Sequence, residues 1–396
     1  MKKIVFITNL NVLGGTENNL VSIVTHPEFR SVFNCHIFSG TRPHPYFADR
    51  LTKAGVSITR HNTCLGVRAP GVTRNLIFSN HIKTVAPDFV VFWNHVAKSR
   101  QLEICKNNHA KTFFFERGTG WRSHDPQKVR EFLSSVDIVL SNSYAGKKIL
   151  ELRWKHQGKC FVLPNAVRPE AAVPKGLIQE KHAGSPLRLG VAARLVAYKG
   201  AASAVLASRE LEKKGVRSSL YIAGDGPEAS SLKDLCKKLS VQAYFQGAVQ
   251  DMTSFYNHID VLICPSIREP FGTVVIEAQS MGCPVVCSAV DGLPEIVLHG
   301  KTGYVVEPAW SCEKYLEFVS NRQDMPEHVF SPGSDMLVSP RALAPEDIAD
   351  AVIEVTRNPQ KYQDMSRQAA EFALNNYNFE KYIMKLRDFL LQHGKG

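Results

Sequence analysis

The stretch Leu187-Arg-Leu-Gly-Val-Ala192-Ala-Arg194-Leu-Val-Ala-Tyr198-Lys199-Gly200 decides the fold. A short apolar run ends in a loop with two cations, and an amphipathic stretch then leads to a second apolar run at 219–223. A strand, a crossover helix and a parallel strand produce this pattern, because a strand buried on both faces reads as a near-continuous apolar run. Working outward, the same alternation predicts strands at 243–245, 260–264, 284–288 and 303–306. Upstream it predicts strands near 3–8, 34–38, 56–60, 88–93, 112–116, 137–141 and 160–163. The segment 169–186 holds Pro169, Pro174, Gly176 and Pro186 without apolar periodicity and reads as a linker. The expected architecture is α/β, with two doubly wound, Rossmann-like domains at 1–168 and 187–378. Residues 310–340 break the second series with a polar stretch and read as an inserted surface segment. The C-terminal residues read as helical with a break near Asn375–Asn378.

At 396 residues, 44% hydrophobic and 21% charged, the chain is long enough for two cores and far from the composition of a disordered protein. The net charge of +11 is unevenly placed. Residues 1–168 carry 24 Lys and Arg against 10 Asp and Glu, whereas the remainder carries 24 against 27. The first half is therefore suited to an anionic partner. Nine scattered cysteines and a start that runs straight into a strand point to a reducing cytoplasm. No apolar run approaches the ~20 residues that span a bilayer, so any membrane contact is expected to be peripheral, on the inner face. Cys283 and Cys287 read as buried strand cysteines, and no metal site is expected.

In doubly wound sheets ligands collect beyond the carboxyl ends of strands. Four loops there stand out. Gly14-Gly15 precedes a helix and reads either as a tight turn or as a close approach to an anionic ligand. Arg194 and Lys199 lie five residues apart and read either as solvated cations or as a clamp on a diphosphate. Gly224-Asp-Gly226-Pro-Glu228-Ala229 satisfies a bare dinucleotide fingerprint and keeps a nicotinamide-dependent dehydrogenase in view. Finally, Glu269-Pro-Phe-Gly272-Thr273-Val274-Val-Ile-Glu277 opens a helix at Gly272–Val274, whose first amides suit a phosphate, with a carboxylate on either side. Carboxylates beside cations suit a ligand carrying both hydroxyls and phosphates, as a nucleotide sugar does.

Glu269 and Glu277 bracket seven residues. Together with Arg194…Lys199-Gly200, the Gly224–Glu228 loop, Met281-Gly-Cys-Pro-Val285 and Gly292-Leu-Pro-Glu295-Ile296, they resemble glycosyltransferase family 4 over about 187–308. The resemblance implies a retaining, metal-independent enzyme of the GT-B type, with two Rossmann-like domains facing a central cleft. Its donor would be a nucleoside-diphosphate sugar, and no separate cofactor is implied. By the same resemblance Arg194 and Lys199 hold the pyrophosphate with help from the amides of Gly272, Thr273 and Val274. Glu277 meets the ribose, Glu269 lies against the donor sugar, and a last helix at about 379–396 returns to the first domain. The family often carries a His after the strand at 112–116. This chain has Phe115-Glu116-Arg117-Gly118 instead, so Glu116 or Arg117 becomes the candidate sugar contact, with His95 nearby. No Asp-x-Asp metal motif occurs.

The acceptor is expected to be a saccharide or lipid-linked saccharide, within lipopolysaccharide or other cell-surface polysaccharide biosynthesis. Lys98, Arg100, Lys106, Arg117, Arg122, Lys128 and Arg130, with Trp121 among them, are the candidate contacts to an anionic membrane. Nucleic acid is not expected as a partner. A sugar-nucleotide epimerase of the same fold is the second reading; a silent binding protein and the dehydrogenase rank below it.

Overall fold

The computed structural model describes residues 1–60, 63–64, 67–68, 71–169, 185–322 and 325–394. The linker read at 169–186 therefore falls largely outside the described residues. The chain divides into two compact units. One comprises Met1–Gly120, His124–Pro164 and Phe379–Gly396, and the other Trp121–Ser123 and Asn165–Asn378.

The first unit is built on β1 (Lys2–Thr8), β2 (Phe33–Ser39), β3 (Ser57–Arg60), the small hairpin β4 (Thr63–Cys64) and β5 (Val67–Arg68), β6 (Phe89–Trp93), β7 (Lys111–Glu116), β8 (Ile138–Ser141) and β9 (Cys160–Val162). Seven of these form one parallel sheet, ordered β3-β2-β1-β6-β7-β8-β9. All five residues of β6 are buried, as helices on both faces require. The helix Phe379–His393 belongs to this unit. Its buried residues Phe379, Tyr382, Ile383, Leu386 and Leu390 recur at three- and four-residue intervals, and the Phe389 ring meets Phe113 and Phe161.

The second unit contains β10 (Leu187–Ala192), β11 (Ser218–Ala223), β12 (Ala243–Gly247), β13 (Val261–Cys264), β14 (Val285–Ser288) and β15 (Gly303–Val306). They form a parallel sheet ordered β12-β11-β10-β13-β14-β15. Alternation along each strand feeds two cores. Leu189, Val191, Val261 and Ile263 point to one, with Val205 and Val352. Leu262, Cys264 and Val285 point to the other, with Val275 and Leu293. Cys283 and Cys287 are buried.

Residues 310–342 are less superficial than their polar composition implies. They form two antiparallel pairs, β16 (Trp310–Ser311) with β19 (Arg341–Ala342) and β17 (Val329–Ser331) with β18 (Met336–Val338). Tyr315 and Phe330 are buried, and the Tyr315 hydroxyl donates to the Ala197 carbonyl at 2.8 Å. Buried Glu228 accepts from the backbone N–H groups of Ser320 and Asn321 at 3.0 and 2.6 Å. A few anchors therefore seat a segment that has no apolar period of its own.

Candidate functional site

In the second sheet the strand order reverses between β10 and β13, which opens a crevice beyond their carboxyl ends. Arg194 leaves the end of β10, and Ser266 to Glu269 leave the end of β13. The 3₁₀ turn Ala197–Lys199 bridges the two, because Ile267 N–H donates to the Tyr198 carbonyl at 2.8 Å.

Of the candidates from sequence, the structure brings Lys199 and Glu269 together: Nζ lies 2.6 Å from Oε2. Both are largely buried, and the Ser266 hydroxyl donates to the same carboxylate oxygen at 3.1 Å. Burial works against the Lys199 ammonium, but Glu269 together with Tyr198 and Cys264 more than offsets it, and the lysine pKa is raised. Arg194 is exposed and has no side-chain partner among the described residues. Gly272 begins the helix Thr273–Ser280 with φ +95°, and a Cβ there would collide with Leu293. Thr273 accepts from Asn165 Nδ2 at 3.3 Å, and Val274 follows in the first turn.

Glu277 is fully buried on that helix. Its carboxylate is gripped by Arg168, Nε to Oε1 at 2.5 Å and Nη2 to Oε2 at 3.1 Å, and accepts from the Tyr256 hydroxyl at 3.1 Å. Burial and the neighbouring carboxylate push the Tyr256 pKa up. Sequence reading gave Glu277 a ribose and missed Arg168, since the two stand 109 residues apart.

The Gly224–Glu228 loop serves the backbone of the Arg194 loop. Leu195 N–H donates to the Asp225 carbonyl and Glu228 N–H donates to the Leu195 carbonyl, at 2.9 and 3.0 Å. A Cβ on Gly224 or Gly226 would collide with the carbonyl of Ala193 or Leu195. The glycine spacing that resembled a dinucleotide fingerprint is thus explained by chain packing.

In the first unit, Gly14 caps the helix Gly15–Thr25 and its carbonyl accepts from Asn18 N–H at 3.0 Å. Glu116 is corrected as a sugar contact. It is fully buried, and its carboxylate takes the N–H groups of Gly118 and Gly120, closing the turn that follows β7. Arg117 is likewise buried. Its guanidinium lies 4.2 Å over the Trp93 ring and donates to Asn19 Oδ1 at 2.8 Å. Trp121 is corrected too: at 1% exposure it is no headgroup anchor, and its Nε1 donates to Asp291 Oδ1 within the second unit at 2.9 Å.

Asp291 was not singled out in the sequence. Besides Trp121 it accepts from Phe330 N–H at 2.8 Å and from Glu269 N–H at 3.0 Å, so it fixes the main chain that carries Glu269. Burial, opposed by these donors and by Arg268, pushes its pKa up to about 7. A carboxyl whose folded pKa exceeds its unfolded value contributes stability below the unfolded value and loses it as pH rises through the folded one. Through Asp291 alone, stability falls between about pH 4 and pH 7. The Asp291→Asn variant lacks the titration. Its unfolding free energy relative to wild type is therefore expected to rise by on the order of 2 kcal/mol between pH 5 and pH 8 in urea titrations. A pH-independent difference would refute the shift.

Residues 178–319 match the family described as glycosyl transferases group 1. An uncharacterized glycosyltransferase of Methanocaldococcus jannaschii is 40% identical over 109 residues, covering 25% of this chain and 28% of that protein. The capsular polysaccharide biosynthesis glycosyltransferase CapM of Staphylococcus aureus is 31% identical over 192 residues, covering 46% and 50%. The alignments thus span a quarter to a half of the length of the curated relatives matched first. Over nearly the whole length, 99% of this chain and 100% of the other, Anabaena HepE in complex with UDP and glucose superposes with a TM-score of 0.72 at 15% identity. Residues 178–319 thus resemble the group 1 glycosyl transferases, and the chain shares with HepE a fold of two Rossmann-like α/β domains.

Proposed function

We propose that the chain is a retaining glycosyltransferase that moves a sugar from a nucleoside-diphosphate sugar to a saccharide or lipid-linked saccharide, in lipopolysaccharide or other cell-surface polysaccharide biosynthesis. The observation that carries this reading is the buried Lys199–Glu269 pair beside exposed Arg194 at the crevice between β10 and β13, inside the group 1 segment. Transfer needs charge neutralised on a departing diphosphate. Arg194, Lys199 and the first amides of the helix Thr273–Ser280 supply that without a metal ion. Glu269, anchored from three sides, presents a fixed carboxylate toward the sugar. HepE, crystallised with UDP and glucose, supports the donor class, and CapM supports the polysaccharide context.

The test is a donor screen. Purified protein is incubated with UDP-, GDP- and ADP-sugars and oligosaccharide acceptors, with and without excess EDTA. The expected result is acceptor-dependent release of nucleoside diphosphate, unchanged by EDTA, with the anomeric configuration of the donor kept in the product. Release without acceptor consumption, with an epimerised sugar, would favour the epimerase. Loss in EDTA restored by a divalent ion would overturn the metal-free mechanism.

We assign the acceptor side an anionic membrane surface on the inner face of the cytoplasmic membrane. Among the described residues no helix is long and apolar enough to cross a membrane. Lys98, Arg100, Lys106, Arg122, Lys128 and Arg130 are exposed, although Arg100 pairs with Glu103 at 2.9 Å and Lys128 with Asp125 at 2.7 Å. Each cation near an anionic surface contributes about 1 kcal/mol, within a Debye length. Replacing Arg122, Lys128 and Arg130 together by Ser is expected to reduce sedimentation with phosphatidylserine-containing vesicles at low salt by at least tenfold. Equal sedimentation with zwitterionic vesicles, or none with either, would sink the membrane assignment.

A further inference from the structure

Apart from its charge acting on Asp291, Arg268 has no role in the arrangement above, yet it stands within it. It is 9% exposed, and its guanidinium lies flat over the Tyr198 ring, with Cζ 4.0 Å from the centroid. None of the described residues accepts a hydrogen bond from it, and its buried Nε has no partner. Both neighbouring carboxylates are already engaged. Glu269 is held by Lys199 and Ser266, and Asp291 by three N–H donors. A buried cationic donor left unmatched is costly, and a guanidinium stacked by its face keeps its in-plane N–H groups directed outward for an anion. Tyr198 belongs to the turn that ends in Lys199 and is tied to Ile267 through its carbonyl. Arg268 is thereby fixed between the Arg194–Lys199 loop and Glu269.

We propose that Arg268 is a third cation of the donor site, binding the β-phosphate, whose bond to the sugar breaks on transfer; this rests on the nucleotide-sugar reading of the same site. A diphosphate carries more charge than one free cation answers. Arg194 is exposed, and Lys199 is already committed to Glu269, so Arg268 supplies the missing donor set with fixed geometry. Lysine cannot stack and fork in this way, so Arg268→Lys restores only part of the function.

The test is calorimetric titration of wild type, Arg268→Lys and Arg268→Met with the nucleoside diphosphate that binds wild type (UDP, GDP or ADP), with its monophosphate, with the bare nucleoside and with the matching diphosphate uronate. Thermal midpoints are recorded for each variant. Arg268→Met is expected to lose at least tenfold in affinity for the diphosphate, and to stay within twofold for the monophosphate and the nucleoside. Arg268→Lys is expected to fall between. Diphosphate binding within twofold of wild type in Arg268→Met overturns the proposal. So does an equal loss across all ligands, and so does a loss confined to the uronate, which would move the contact to a sugar carboxylate. Should Arg268→Met fail to fold, Arg268→Lys decides by the same diphosphate-to-monophosphate ratio. If wild type binds no nucleoside diphosphate, the donor reading itself fails and this proposal falls with it; wild-type binding with an indifferent variant removes this proposal alone.

Discussion

Glu269→Ala is expected to lower the turnover of sugar transfer by about 10²–10³, the scale seen when a group that acts on transition-state charge is removed from a preorganised site. Glu269 is held at three points, two on its carboxylate and one on its main chain. Lys199 Nζ lies 2.6 Å away, the Ser266 hydroxyl donates at 3.1 Å, and the Glu269 N–H is held by Asp291 at 3.0 Å. Such anchoring orders the side chain before the donor arrives, so its loss falls on turnover more than on nucleotide affinity. Lys199→Ala is expected to cost about 10²–10³, because it removes a cation from the leaving group and also strands Glu269 as a buried charge with only Ser266 to answer it. Arg194→Ala removes a cation with no internal partner, so its effect is expected on catalysis without loss of stability. Glu269→Gln keeps the hydrogen-bonding shape but not the charge; recovery of wild-type turnover by Gln would show that shape alone matters. Turnover of Glu269→Ala within tenfold of wild type would remove the central assignment.

The fold was legible because buried parallel strands leave a trace at short range. Leu187–Ala192, residues 220–223 and Phe89–Trp93 are short, mainly apolar runs whose length and burial on both faces fit parallel strands. Lys199 and Glu269 were legible for a related reason, since each follows a strand and strand ends converge in this topology. What sequence could not deliver was pairing across long separations. Glu116 was placed against a sugar because of its position after β7, but its carboxylate is consumed by two N–H groups within four residues of itself. Trp121 sits among cations in sequence, yet its indole is committed to Asp291, 170 residues away. Arg268 stood in plain view next to Glu269; only its burial and its missing hydrogen-bond partners distinguish it from a surface arginine.

The Arg168–Glu277 pair is expected to give the largest stability effect, and an asymmetric one. Glu277 is fully buried, whereas the Arg168 side chain keeps 21% of its exposure. Arg168→Ala leaves a buried carboxylate held chiefly by the Tyr256 hydroxyl at 3.1 Å, and breaking a buried pair in this way costs about 3–5 kcal/mol. Glu277→Ala removes the buried charge itself. Arg168 then turns to solvent and Tyr256 loses this acceptor, for about 1–3 kcal/mol. The double variant Arg168→Ala with Glu277→Ala is expected to be more stable than Arg168→Ala alone, because the stranded carboxylate is gone. Urea unfolding of the three variants measures this directly, and Glu277→Ala as the least stable of the three would refute it. The same variants separate structure from binding. If Glu277 meets the ribose, as the family resemblance implies, then Glu277→Ala weakens the bare nucleoside as much as the diphosphate, which is the opposite of the pattern expected for Arg268→Met. If Glu277 only anchors Arg168 and Tyr256, nucleoside affinity in Glu277→Ala follows its stability and recovers when the protein is assayed well below its unfolding temperature.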